Sequence, residues 1–295
     1  MRDKSGSLRW RKRRLIEDDD QHEHEDQTSE FRFNPNSAPV SDWNPNLYLR
    51  FEAHRTRAAR DLLGRVELQE VRLAVDLGCG PGNSTRLLAE RWPGASIVGV
   101  DNSAAMLESA RTSYPNVTWI QADLAHWFPP AYQDLIFANA SLQWAPDHAE
   151  LLQGLCVRLR PGGILAFQIP FIHQQPVAEV YRRLINSPQW RVFPPPDERL
   201  TVETPIFYYN VLSKYCRQVE IWETVYHHLL EKHEEMVTWY QSTGLRPFLA
   251  KLPDDHTRSV FTTELADCYR QQFPPLADGR VLFPFHRLFV LATAK

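Results

Sequence analysis

Cysteine is scarce: the 295 residues hold four, at positions 79, 156, 216 and 268, with no Cys-x-x-Cys pair and no metal-ligand spacing. That speaks against a disulfide framework and a zinc module, and for reduced thiols in the cytoplasm. Charge of one sign is not in excess either. The net charge is −3, so no global basic field exists to draw in nucleic acid. No apolar run approaches a membrane span, and the first residues lack the apolar segment of a secretory leader. No internal repeat is visible. These absences set the expectation of a soluble, cytoplasmic monomer without a nucleic-acid or membrane partner. At 43 % hydrophobic, the chain can bury one large core or a core plus a lid.

A further absence is more informative. Val75-Asp76-Leu77-Gly78-Cys79-Gly80-Pro81-Gly82-Asn83-Ser84-Thr85 reads as an apolar strand, a glycine turn and a helix start. Val98-Gly99-Val100-Asp101 follows as a second strand ending in an acid. A dinucleotide fingerprint would carry its third glycine at position 83, which here is Asn83. Without it no diphosphate is cradled. The G-x-G-x-G form is similar to the S-adenosylmethionine loop of class I methyltransferases.

Strand patterns at 73–76, 96–101, 117–121, 135–139 and 164–169 alternate with helical patterns at 83–91, 104–113 and 148–159. Arg160-Pro161-Gly162-Gly163 reads as a helix stop and turn. Such alternation implies right-handed crossovers and a parallel sheet. The expected fold is α/β, a Rossmann-like, mostly parallel sheet. Long alternating stretches at 219–228 and 281–293 suit an antiparallel C-terminal edge. Helical patterns at 177–186, 232–241 and 254–273 belong to two expected lid insertions, about 170–215 and 230–275, over the strands' carboxyl ends, where open sheets bind ligands. Residues 1–39 differ in kind. Arg11-Lys12-Arg13-Arg14 runs into Glu17-Asp18-Asp19-Asp20, with His22 and His24 close by. A nucleic-acid arm or a metal site there is outweighed by a disordered polyampholyte whose halves neutralise each other.

The cofactor-binding candidates are Asp76, Gly78, Gly80, Gly82, Asp101, Asn102, Asp123, Leu124 and Asn139. The glycines allow close backbone approach. Asp101 is expected to accept ribose hydroxyls and Asn102 to flank adenine. Asp123 is expected at the exocyclic amine with Leu124 against the ring, and Asn139 near the sulfonium. Ala140-Ser141-Leu142 stands where amino-type base methylases carry Pro-Pro-aromatic, which speaks against a flipped base.

The chain resembles the trans-aconitate 2-methyltransferases over residues 41–294. The resemblance is carried by Ser41-Asp42-Trp43-Asn44-Pro45 with Leu47-Tyr48-Leu49, and by residues 76–85 and 134–144 with Pro146-Asp147-His148. Tyr208-Tyr209, Thr243-Gly244-Leu245-Arg246-Pro247 and Arg287-Leu288-Phe289 complete it. It implies methyl transfer from S-adenosyl-L-methionine to one carboxylate of trans-aconitate, a small tricarboxylate. An ionised acceptor needs no general base, so no catalytic residue is named. The non-reacting carboxylates need cations, for which arginine's fork is suited. The substrate-binding candidates are Arg246 and Arg287, with His286 and His173 behind them, and Tyr48 at the cofactor's methionine end. Neither arginine is expected at the site from its own sequence context.

Departures from the family are Pro170-Phe171-Ile172-His173, the proline run at 193–196, and Phe285-His286-Arg287. They fall on the expected lid and leave the cofactor loop intact. Family members commonly begin Met-Ser-Asp-Trp-Asn-Pro, and this chain reads Val40-Ser41-Asp42-Trp43-Asn44-Pro45. Because GUG encodes internal valine and also starts translation, the native protein is expected to begin at position 40, with 40–295 as its methyltransferase domain. Three alternatives stay open: a methylase of another small molecule, a nicotinamide oxidoreductase, and a non-catalytic cofactor-binding protein.

Overall fold

The computed structural model describes residues 44, 49–194 and 200–295. The charged blocks, His22, His24 and Tyr48 lie outside the described residues. Seven strands form one sheet: β1 (Leu73–Leu77), β2 (Ser96–Asp101), β3 (Thr118–Gln121), β4 (Gln133–Asn139), β5 (Leu159–Pro170), β6 (Cys216–Leu230) and β7 (Val281–Ala294). Their order is β3-β2-β1-β4-β5-β7-β6. β1 to β5 pair in parallel, and β7 runs antiparallel to both β5 and β6. The parallel sheet with an antiparallel C-terminal part is thus present, with β7 inside the sheet and β6 at its rim. The order reverses between β1 and β4, which places the ligand crevice of an open α/β sheet at their carboxyl ends.

Helices α1 (Glu52–Gly64) and α2 (Asn83–Arg91) cover one face, burying Leu62 and Leu88 against Phe137 and Phe289. Helix α3 (Ala104–Ser113) packs beside β2 and β3. Helices α4 (His148–Cys156) and α6 (Pro205–Leu212) cover the other face, burying Leu152 and Tyr208 against Phe167 and Val290. The remaining α-helices among the described residues are α5 (Pro176–Ile185), α7 (His233–Gln241), α8 (Arg246–Leu249) and α9 (Asp255–Gln272). They share a separate apolar cluster, with Trp190, Trp239, Phe248 and Phe261, which also takes in Phe283 and Phe285 of β7. The segment 170–215 therefore divides: α5 joins this second layer, whereas α6 packs against the sheet.

Capping residues set several helix starts. Ser103 Oγ accepts from Met106 N, Asp147 Oδ1 from Glu150 N and Asp254 Oδ1 from Thr257 N. The expected helix over 148–159 stops at Cys156 instead. Leu159 already pairs with Gln133, and the register jumps to Leu135–Ile164 around Gly162 at φ +79°. Arg160-Pro161-Gly162-Gly163 is thus a bulge inside a strand rather than a helix stop.

Candidate active site at the carboxyl ends of the strands

The chain leaves β1 through Gly78, Gly80 and Gly82, all at positive φ. A Cβ on Gly78 would lie 2.2 Å from Ser141 Cβ, in the loop after β4, so only glycine lets the two loops touch. Ser141 Oγ donates to Leu77 O across that contact (2.6 Å). A Cβ on Gly80 would meet nothing within 4 Å; the loop backbone there borders open space. Gly80 N donates to Asp101 Oδ2 at 2.8 Å and Ser103 N to Asp101 Oδ1 at 2.9 Å, which pins the acid at the tip of β2.

Asp76 is fully buried beneath this loop. One of its oxygens accepts from Ser84 Oγ (2.7 Å) and Thr85 Oγ1 (2.6 Å); the other, Oδ1, has no hydrogen-bond partner among the described residues. Burial raises its pKa to about 6, against the two hydroxyl bonds that lower it. Asn102 is exposed, and its carbonyl accepts from Gln121 Nε2. Asp123 is exposed too; it accepts from Ala125 N and lies 3.0 Å from His126 Nδ1. Leu124 packs against the sheet core. All stand on the rim formed by the ends of β1, β2 and β3. An open glycine loop, an acid at the second strand end and an orphaned buried carboxylate oxygen fit S-adenosylmethionine, whose sulfonium and ammonium are cationic.

Next to this rim lies a pocket lined by Arg55, Asn139, Gln143, Trp144, Ile172, Gln175, Trp239, Tyr240, Phe285 and Arg287. Ala140, also in its lining, is the non-glycine residue with positive φ (55°) among the described residues. Backbone strain of this kind gathers at functional sites. Two arginines line the pocket, Arg55 and Arg287, 5 % and 3 % exposed, and no Asp or Glu among the described residues does. Arg55 Nη2 donates to Ser242 Oγ at 2.6 Å, and the guanidinium stands 5.2 Å from the Trp239 ring centroid. Arg287 Nη1 donates to Gln168 Oε1 at 3.0 Å, with its guanidinium 4.5 Å from the Phe285 ring centroid. Behind them, His228 stacks on Trp239 (5.0 Å). Burial, then the nearby His54 and Arg287, push the His228 pKa down to about 3 and keep it neutral.

The structure therefore brings Asn139 and Arg287 into one pocket and leaves out three other candidates. Arg246 opens α8 but is not part of the lining, to which its neighbours Thr243 and Gly244 belong. His286 lies on the opposite face of β7 from Phe285 and Arg287, because strand side chains alternate; only its carbonyl turns inward, accepting from Gln175 Nε2 at 3.0 Å. His173 is exposed, with Nε2 2.8 Å from Val202 O. Sequence reasoning missed Arg55, Gln168, Gln175 and Tyr240. The one available signal was the placement of Arg55 just after Leu49-Arg50-Phe51, next to the Trp43-Asn44-Pro45 opening.

Among the described residues, no group of three or more His, Cys, Asp or Glu is placed to hold a metal ion. No helix there is long and apolar enough to cross a membrane. A family profile described as a methyltransferase domain matches residues 74–163. Among solved structures, the YcgJ protein of Bacillus subtilis aligns at TM-score 0.54 and 14 % identity, covering 81 % of this chain and 99 % of that one. Haemonchus contortus phosphoethanolamine N-methyltransferase 2, in complex with S-adenosyl-L-methionine, aligns at TM-score 0.54 and 16 % identity, covering 85 % of this chain and 57 % of that one. These two likenesses establish the fold. The curated relatives are nearer in sequence. A trans-aconitate 2-methyltransferase of Azoarcus sp. (strain BH72) is 47 % identical over 252 residues, 85 % of this chain and 98 % of the relative. Another, from Escherichia coli O157:H7, is 42 % identical over 253 residues, 86 % of this chain and 98 % of the relative. At this identity and coverage, the chain belongs to the trans-aconitate 2-methyltransferase family.

Proposed function

We propose that the protein is a carboxyl O-methyltransferase that uses S-adenosylmethionine to convert trans-aconitate to its monomethyl ester. The observation that carries this reading is the pair of buried arginines in one pocket, with no acid among its described lining residues, beside a glycine-loop rim suited to a cationic cofactor. A polyanionic acid is the small molecule such a pocket favours.

When bound, S-adenosylmethionine supplies an electrophilic methyl group on a sulfonium and leaves as S-adenosylhomocysteine. Asp101 holds the ribose hydroxyls, the 78–82 backbone borders the cofactor, and Asn102, Asp123 and Leu124 flank the adenine. Arg55 and Arg287 clamp the carboxylates that do not react, Arg55 filling the part foreseen for Arg246. Trp144, Ile172, Trp239 and Phe285 keep water from the attacking oxygen, which raises its reactivity and fixes its approach. A carboxylate is ionised at neutral pH, so no side chain has to remove a proton. The layer of α5 and α7–α9 serves as the lid. The same reading makes the protein a cytoplasmic monomer acting on a free small molecule, with no nucleic-acid partner.

The test is methyl transfer from labelled S-adenosylmethionine to trans-aconitate, cis-aconitate, isocitrate and citrate, read as ester by mass spectrometry. Marked preference for trans-aconitate is expected. Turnover on another acid reassigns the substrate, and S-adenosylhomocysteine binding without turnover overturns the reading. Arg55→Ala and Arg287→Ala are each expected to raise the KM for the acceptor by about ten- to a hundred-fold, the worth of a hydrogen-bonded charge pair. Neither is expected to move the Kd for S-adenosylhomocysteine by more than about twofold.

A further inference from the structure

Asn139, Gln168 and Arg287 stand on one face of the sheet, Asn139 and Gln168 near the carboxyl ends of β4 and β5 and Arg287 in the middle of β7, level with the end of β5. Asn139 and Gln168 are direct neighbours across the β4–β5 ladder, and Arg287 pairs with Pro170, two residues beyond Gln168. Gln168 is fully buried between the other two. Its Oε1 accepts from Arg287 Nη1 at 3.0 Å, and its Nε2 donates to Asn139 Oδ1 at 2.6 Å.

The chemistry of the three groups leaves one arrangement. A guanidinium has donors only, so the Gln168 atom that faces it must be the oxygen. The Gln168 amide nitrogen then faces Asn139, and because that nitrogen is a donor, Asn139 must answer with its oxygen. Asn139 lines the pocket; with Oδ1 turned to Gln168, its Nδ2 hydrogens remain for the ligand. We propose that Gln168 is a positioning residue that makes Asn139 a hydrogen-bond donor to the acceptor's carboxylate and ties that donor to the Arg287 clamp. This rests on the methyltransferase reading above and refines it. An N–H aimed at a sulfonium would be repelled, whereas a donor beside an arginine suits the attacking carboxylate, holding the oxygen that does not react. Arg287 and Asn139 then grip two ends of one polyanion, and the buried amide between them sets their spacing.

Gln168→Glu tests the relay with a change of one atom. A carboxylate accepts from both neighbours, so Asn139 turns its Nδ2 inward and its oxygen to the pocket, and the Arg287 charge is offset. Trans-aconitate is titrated by calorimetry into the enzyme–S-adenosylhomocysteine complex, with steady-state kinetics alongside. For Gln168→Glu, a Kd and KM for trans-aconitate raised about ten-fold or more are expected, with S-adenosylhomocysteine binding within about twofold of wild type. Asn139→Asp, whose side chain is only half buried, serves as the second variant and should weaken the acceptor by a similar or larger factor. If wild type binds trans-aconitate and both variants bind it as tightly, the relay is wrong while the function stands. Equal loss of acceptor and cofactor affinity marks a merely structural role and also overturns it. If wild type itself binds no trans-aconitate, the function reading falls and the relay with it.

Discussion

Single residues at this site differ by where their charge is kept. Asp76 carries a negative charge in the dry interior beneath the glycine loop, and Arg55 and Arg287 carry positive charge in the neighbouring pocket. In the function proposed above, this separation would sort the cationic cofactor and the anionic acceptor to different parts of the site. Because the folded pKa of Asp76 is raised to about 6, its protonated form stabilises the folded protein most below the unfolded value, and that contribution is lost as pH rises through about 6. Cofactor binding has the opposite slope, since a cationic ligand favours the ionised form. Affinity for S-adenosylmethionine is expected to fall about ten-fold between pH 8 and pH 5, and Asp76→Asn should flatten the profile. Calorimetry at the two pH values checks this; a flat wild-type profile would remove Asp76 as the counter-charge. At this scale the sequence was legible where a motif constrains the backbone, as at Gly78, Gly80 and Asp101. It was not legible for Arg55, because an arginine among polar residues in a helix looks like any surface arginine until another element closes over it.

At the scale of elements, turns and caps carried the legible information. The strand–loop–helix unit around residues 73–91 is readable because local hydrogen bonding and glycine conformations determine it. The end of α4 was not, since β4 captures residues 159–163 through a bulge that no local signal announces. Two glycines of the same loop separate stability from binding. Gly78→Ala places a Cβ against Ser141 and strains a positive φ. It is expected to cost about 1–3 kcal/mol or more, seen as a lower urea midpoint. Gly80→Ala meets open space, so its stability loss should stay near about 1 kcal/mol. Its methyl group enters the volume assigned to the cofactor, and S-adenosylhomocysteine affinity should fall well beyond what the stability change implies. The reverse ranking in denaturation and titration would sink the assignment of that volume.

For the whole molecule, the pocket exists because two apolar cores meet over the strand ends. Trp239 belongs to the second core and contacts His228, Phe283 and Phe285, while its ring also supports Arg55. His228 is held neutral there, with its pKa pushed down to about 3. The unfolded chain takes up a proton at this histidine near its ordinary value of 6.5, so the associated stability is present above that pH and lost as pH falls below it. At pH 5 the loss is expected to reach about 2 kcal/mol, opposed by the gain from Asp76. Urea denaturation of wild type and His228→Phe at pH 7 and pH 5 separates the two, because the variant lacks only the histidine slope. Parallel shifts in both proteins would show that the histidine is not buried neutral.

The sequence by itself determined the alternation of strands and helices, the glycine loop with its acid one strand later, the antiparallel end of the sheet and the family to which the chain belongs. Each of these follows from local backbone chemistry or from side-chain period along a single element. Only the tertiary structure decided which cations meet. Strand parity turned Arg287 into the pocket and His286 away from it, packing of α7 on α1 brought in Arg55, and the neighbouring register of β4 and β5 joined Asn139 to Gln168. Those outcomes depend on contacts between residues far apart in the chain, and no pattern within one element encodes them.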